Sequence, residues 1–153
     1  MNRIDRPKAL ARYDQDFALW SSEQAALLRA RHFDAVDFVN VAEEIESLGR
    51  SDEDEIENRL NVLVMHLLKW RYQAQNRSPS WRATIIEQRS RILKRLSKSP
   101  SLKRYPGEVL SEEYVTARLR AAGETELPEA TFPETCPFTI DQVLDKSFYP
   151  DPD

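Results

Sequence analysis

Residues 51–72 read SDEDEIENRLNVLVMHLLKWRY, and this stretch decides the fold. Five apolar residues recur at the alternating spacings of four and three that mark one face of an α-helix: Ile56, Leu60, Leu63, Leu67 and Trp70. Further apolar residues lie on its other sides: Val62, Val64, Met65 and Leu68. A helix that is apolar all round needs neighbours on every side. We therefore predict an all-α bundle of about five or six helices around one long central helix.

Two further helices are expected upstream. The first covers about residues 14–31 and the second about residues 37–48. An apolar stripe at helical spacing defines the second: Phe38, Val41, Ala42, Ile45 and Leu48. Gly49 stands where a left-handed residue commonly ends a helix, and Ser51 could cap the next one. We therefore expect a helix boundary between residues 48 and 51.

Downstream of the central helix, residues that typically begin or end helices indicate two more helices. Ser78 followed by Pro79 is typical of an N-cap and a first helical residue, and predicts a helix over about residues 79–96. The next helix is predicted over about residues 106–122, with Gly123 as its end. Prolines then indicate an extended C-terminal strap: Pro128, Pro133 and Pro137.

The strap is expected to end in a last helical turn, since Thr139 and Gln142 have the spacing of a capping box. Apolar residues should pin it to the body: Phe132, Phe138, Val143, Leu144 and Phe148. One domain is predicted over residues 12–149. The ends, residues 1–11 and 150–153, are expected to be flexible.

Composition agrees with a helical, soluble chain. Glycine occurs only 3 times, 41% of the residues are apolar and 31% are charged. The most apolar run, residues 60–70, is too short to span a bilayer, and the first residues lack the apolar core of a signal peptide. Cys136 is the single cysteine, which fits a reducing compartment. We expect a cytoplasmic protein without a membrane segment.

Charge is distributed unevenly along the chain. Residues 69–104 contain 11 Lys or Arg and one acid, a net of +10, whereas residues 34–57 contain 10 acids and one Arg, a net of −9. The favoured interpretation is that these segments neutralise each other inside the protein. The alternative is a basic face that binds an external anion or nucleic acid.

Three glutamates of the second helix are candidate functional residues. At about 100° per residue, Glu43 lies opposite the apolar stripe, and Glu44 and Glu46 lie on its flanks. Half-buried carboxylates require partners. We favour the interpretation that these glutamates form salt bridges. The alternative is that they bind a metal ion or act in general acid–base catalysis.

His66 lies in the middle of the central helix among apolar residues. A lone histidine there is most often a hydrogen-bonded core residue. The Glu-x-x-His pairs of di-iron bundles are missing, and the only other histidine, His32, falls at a helix end. We therefore predict neither a metal site nor a cofactor. Cys136 lies in the strap without a sequence partner and is not expected to be a nucleophile.

Arg82 and Arg89 are seven residues apart, between apolar rows of the fourth predicted helix. Guanidinium groups in such a place need a carboxylate or another anion. Glutamates are the expected partners: Glu44, Glu46 and Glu87. An external phosphate or carboxylate is the alternative. Four outer cations of the same helix are expected to face solvent: Arg91, Lys94, Arg95 and Lys98.

Six short motifs occur in order along the chain. They are Tyr13-Asp14-x-Asp16-Phe17-x-x-Trp20, Glu43-Glu44-Ile45-Glu46-Ser47-Leu48-Gly49, His66-Leu67-Leu68-Lys69-Trp70, Ser80-Trp81-Arg82-x-Thr84-Ile85, Gln88-Arg89 and Pro100-Ser101-Leu102. In these motifs, and over residues 12–148, the chain resembles the bacterial and cyanobacterial family called domain of unknown function 29. The resemblance implies an all-helical fold and no particular activity.

Polar residues from these motifs form the predicted site cluster: Glu43, Glu44, Glu46, His66, Lys69, Arg82 and Arg89. Our leading hypothesis is a non-catalytic interaction or regulatory module, with a protein as the partner considered first. The alternative is a hydrolase of phosphate esters or nucleic acid, with Glu44 and His66 as acid–base groups or metal ligands and Arg82 and Arg89 holding phosphate. Simple nucleic-acid binding through the outer cations is the least favoured hypothesis. No pattern in the sequence establishes an enzyme.

Overall fold

The computed structural model describes residues 9–152. The predicted all-α fold is confirmed, because five α-helices and short 3-10 turns make up the regular structure of these residues and they contain no strand. The helices are α1 Phe17–Arg29, α2 Phe38–Tyr72, α3 Pro79–Lys98, α4 Tyr105–Thr125 and α5 Ile140–Leu144. Among the ends predicted to be flexible, residues 1–8 and 153 lie outside the described part.

The expected helix boundary near Gly49 is wrong, because α2 continues through it. No described glycine has a positive φ, so Gly49 does not end a helix. A glycine inside a helix costs only about 1 kcal/mol, which neighbouring contacts can offset. Here Arg95 of α3 bonds to Asp52 at 2.9 Å and to Glu55 at 2.5 Å, and so holds the turns that follow Gly49.

The same correction applies to Gly123, which lies inside α4 rather than at its end. The left-handed residue that follows α4 is Glu126, with a φ of 58°. The capping predictions downstream are confirmed. The Ser78 hydroxyl accepts a hydrogen bond from the backbone of Trp81 at 3.2 Å, and Thr139 forms the predicted capping box.

The described chain divides into two compact units, residues 9–49 and 50–152. In the second unit, the predicted central helix is confirmed, since α2 supplies the middle of the core. Fully buried residues of α2 include Ile56, Leu60, Leu63, Val64, Leu67 and Leu68. α3 adds Ile85 and Ile92, and α4 adds Tyr114 and Ala117. The strap covers this core with three buried residues, Phe132, Phe138 and Val143.

The first unit contains α1 and the beginning of α2. Its buried residues are few: Trp20, Gln24 and Val36. The ring of Trp20 packs edge-on against Tyr13, with the centroids 4.8 Å apart. The apolar stripe of residues 38–48 is largely exposed, with Ile45 63% and Leu48 70% accessible. The prediction that residues 12–149 form one domain stays a prediction.

Candidate functional site

Of the three predicted glutamates, only Glu44 is half-buried, and it accepts a hydrogen bond from the Tyr13 hydroxyl. This bond raises the pKa of Tyr13 above its ordinary value. Glu43 and Glu46 are exposed. The first unit therefore uses Glu44 to fasten the segment that precedes α1, which is a structural role available to any carboxylate on that flank.

Sequence reasoning missed Asp37, a carboxylate of the first unit that accepts several hydrogen bonds. Its side chain accepts hydrogen bonds from the Trp20 indole at 3.1 Å and from the Asn40 amide at 2.8 Å. These contacts, the bond from Asn40 first, lower the pKa of Asp37. The side chain of the buried Gln24 accepts from the Asp37 backbone at 2.7 Å. An aspartate directly before an apolar helical stripe is a cap signal that could have identified it.

In the second unit, the structure places His66 and Lys69 in one polar cluster. The Nζ of buried Lys69 lies 2.5 Å from the Glu124 carboxylate and 4.5 Å from the centre of the Trp81 ring. The Nδ1 of His66 is 2.9 Å from the Val62 carbonyl oxygen. Burial lowers the pKa of His66, and the charge of Lys69 lowers it further. These effects disfavour the charged form of His66. Glu124 is the acid of this cluster that the sequence did not indicate.

The structure does not bring Arg82 and Arg89 into this cluster. Arg82 is exposed on α3, whereas Arg89 is only 1% accessible. The guanidinium of Arg89 donates to the carbonyl oxygens of Val143 at 2.8 Å, Phe148 at 2.7 Å and Gln142 at 3.4 Å. The expected glutamate partner is therefore wrong, because backbone carbonyls take its place. Burial lowers the pKa of Arg89.

Two other arginines hold the C-terminal strap in the same way. Arg77 donates to the carbonyls of Trp70 at 2.8 Å and Pro150 at 3.2 Å. Arg118 donates to Phe132 and Glu129 at 3.1 Å. An extended segment has carbonyl groups that no helix satisfies, and buried carbonyls need donors. A Pro-rich strap beside an arginine-rich segment is the signal that could have predicted this arrangement.

The outer side of α3 carries a basic face, which we define as Arg91, Lys94, Arg95 and Lys98. These four cations line a depression of about 200 Å³ together with Glu55. Arg95 is fixed by its two carboxylate partners, and Arg91 has a long contact of 3.4 Å to Glu87. Among residues 9–152, Lys94 and Lys98 have no carboxylate within salt-bridge distance. Hydrogen bonding to Arg59, with the charge of Arg95, lowers the pKa of Glu55.

Within the described residues, we considered Cys136 and groups of His, Cys, Asp and Glu side chains as candidates for thiol, redox or metal chemistry. Cys136 is half-buried, its thiol donates to the Phe138 carbonyl, and burial raises its pKa. Such a thiol is a poor nucleophile at neutral pH. No cluster of three or more His, Cys, Asp or Glu side chains suited to a metal ion occurs within residues 9–152.

The fold and these contacts define a helical module in which three of the predicted polar residues, Glu44, Lys69 and Arg89, fasten segments to one another. No helix in the described range combines the length and apolarity that crossing a bilayer requires. The family model "Domain of unknown function DUF29" matches residues 12–149, so the chain belongs to that family and the resemblance seen in its motifs is confirmed. No curated protein and no solved structure matches the chain.

Proposed function

We propose that this protein is a non-catalytic interaction module that binds an acidic, amphipathic segment of a partner protein on the basic face of α3. The observation that carries the proposal is the convergence of four cations on one depression, two of them without a carboxylate partner among residues 9–152. A cationic cleft attracts anionic partners and speeds their association. The charge of this face therefore selects an acidic ligand.

A neighbouring groove gives the ligand an apolar contact as well. About 580 Å³ of open space lies beside the basic face, lined partly by Ala83 and Ile86, and Arg91 and Lys94 border both depressions. Ile86 is 51% accessible although it is a large apolar residue. An amphipathic helix with acidic residues beside its apolar stripe would match both features, which is the helix-in-groove mode of recognition.

The contacts of the predicted polar residues favour this role over hydrolysis. A hydrolase of phosphate esters would use Arg82 and Arg89 together to hold phosphate, but Arg82 is exposed whereas Arg89 is only 1% accessible. Glu44 is engaged by Tyr13. The cluster of His66, Lys69 and Glu124 is better explained as support for the junction of α2, α3 and α4.

The test is fluorescence anisotropy with a labelled helical peptide of Glu and Leu and with its Gln-for-Glu counterpart. We expect the acidic peptide to bind with a dissociation constant on the order of micromolar at low salt, and the neutral one to bind far more weakly. Lys94→Glu with Lys98→Glu should weaken binding of the acidic peptide at least about tenfold, because like charges would then face each other. Ile86→Asp should also weaken it.

The matched control is Lys103→Glu with Arg104→Glu, which makes the same charge change at exposed residues between α3 and α4. The proposal is wrong if this control weakens the peptide as much as the double variant of α3 does, or if the acidic peptide does not bind. Single-stranded RNA is the competing probe. If RNA binds with a steep salt dependence and Ile86→Asp leaves it unchanged, the face is a nucleic-acid site instead.

A cytoplasmic location belongs to this proposal. It is favoured by Cys136, the single cysteine, which cannot form a disulfide within the chain. Fractionation of cells that produce the tagged protein tests it, since the tag should appear in the cytosolic fraction.

A further inference from the structure

Arg89 differs from Arg118, which also holds the strap. All three donor nitrogens of Arg118 are engaged, and its Nη1 bonds to the Glu129 carboxylate at 3.1 Å. In Arg89 the Nε and Nη2 are engaged by carbonyls, but Nη1 makes no hydrogen bond. Among the described residues it is the only buried side-chain nitrogen or oxygen without a partner. A buried charge without an anion is costly, so this site is unusual.

A cavity of about 130 Å³ adjoins Arg89. Four residues line it: Ile86, Arg89, Ser90 and Lys146. Its polar groups are thus two cations and a hydroxyl, and no carboxylate lines it. The volume is close to that of a protein cavity that holds a benzene-sized molecule, so an ion of the size of phosphate or sulfate fits.

The carboxylate of Asp145 does not neutralise the positive charge at this cavity. Asp145 is close enough to Arg89 for an electrostatic interaction, but its carboxylate accepts hydrogen bonds from the backbone and the hydroxyl of Ser147 at 2.9 and 2.8 Å. Arg89 and Lys146 against Asp145 leave one net positive charge. Guanidinium, ammonium and hydroxyl donors around a small space are the groups that bind oxyanions in proteins.

We propose that the cavity between α3 and the C-terminal strap is a binding site for a small oxyanion of the size of phosphate or sulfate. Arg89 and Lys146 supply its charge and Ser90 supplies a hydroxyl donor. The ion neutralises the buried guanidinium, whose other nitrogens hold the carbonyls of residues 142–148. Oxyanion binding therefore stabilises the strap on α3. This site does not depend on the proposed peptide ligand.

Titration of the folded protein with inorganic phosphate, followed by amide NMR, tests the proposal. Phosphate and sulfate should produce saturable shifts at Ser90 and Lys146, and chloride at equal ionic strength should not. Phosphate should also slow amide exchange in residues 143–149. Lys146→Gln should weaken the phosphate affinity about tenfold or more, because one charge-assisted hydrogen bond is lost.

Lys103→Gln is the matched control, since it removes an exposed lysine away from the cavity and should leave the phosphate affinity unchanged. Ser90→Ala is a second, mild variant that removes the proposed hydroxyl donor, and it should weaken phosphate binding measurably. The proposal is overturned if the shifts do not saturate, if chloride reproduces them, or if Lys146→Gln and Lys103→Gln have the same effect.

Discussion

The two parts of α2 have the same kind of apolar spacing but opposite surroundings. In residues 56–68 the apolar side chains are buried under α3, α4 and the strap, except for Val62, which is partly buried. In residues 38–48 the equivalent stripe is largely exposed, including Phe38, Ile45 and Leu48. Helical periodicity therefore predicts a helix in both parts, but burial depends on what covers the stripe.

Truncation of one leucine in each part should give the largest contrast. Leu67→Ala should lower the free energy of unfolding by about 2–5 kcal/mol, because it leaves a cavity in a closely packed core. Leu48→Ala should change it by less than about 0.5 kcal/mol. Urea unfolding measures both. A large loss in Leu48→Ala would mean that residues 38–48 are covered in solution.

Within the second unit, two arginines of α3 offer a similar contrast. Arg89→Met should lower the free energy of unfolding by about 2–3 kcal/mol, because it leaves strap carbonyls buried without donors. Arg82→Met, at an exposed residue, should have almost no effect. Hydrogen exchange should show the loss of protection in residues 142–148 for Arg89→Met only. Equal effects of the two variants would contradict the role of Arg89 as the anchor of the strap.

Gly49 lies at the boundary between the two parts of α2, and its replacement tests whether the helix is continuous. Open space surrounds the position of an added Cβ at both Gly49 and Gly123. Each change to Ala should therefore stabilise the protein by about 0.5–1 kcal/mol, as in any helix interior. Gly123→Ala in α4 serves as the control. If Gly49→Ala destabilises the protein while Gly123→Ala stabilises it, the helix ends at Gly49.

The smallest expected effect is the pH dependence of stability that arises from His66. Because the pKa of His66 is lowered, the unfolded chain binds a proton more readily than the folded one. The contribution of His66 to the free energy of unfolding is therefore fully present above the ordinary pKa of 6.5, and it is lost as the pH falls below that value. Urea unfolding from about pH 7.5 to about pH 5 should show this slope. His66→Gln should reduce it.

The candidate site was less predictable than the fold. The sequence placed His66 and Lys69 on the central helix, but it did not indicate Glu124, which lies 55 positions away from Lys69 along the chain. From the sequence we predicted a carboxylate partner for Arg89, whereas the structure shows carbonyl oxygens of the strap in that role. Backbone acceptors are the same in every residue, so sequence cannot indicate which of them a buried donor meets.

The sequence by itself determined the helical class, the central apolar helix, the caps at Ser78 and Thr139, and the family. These features depend on local propensity and periodicity, which are properties of residues close together in the sequence. The tertiary structure alone decided that α2 continues through Gly49, that the stripe of residues 38–48 is exposed, and that Arg89 lies beneath the strap. Each of these depends on contacts between segments that are far apart in the sequence. Such contacts decide which of the locally permitted conformations is stabilised and which side chains are covered.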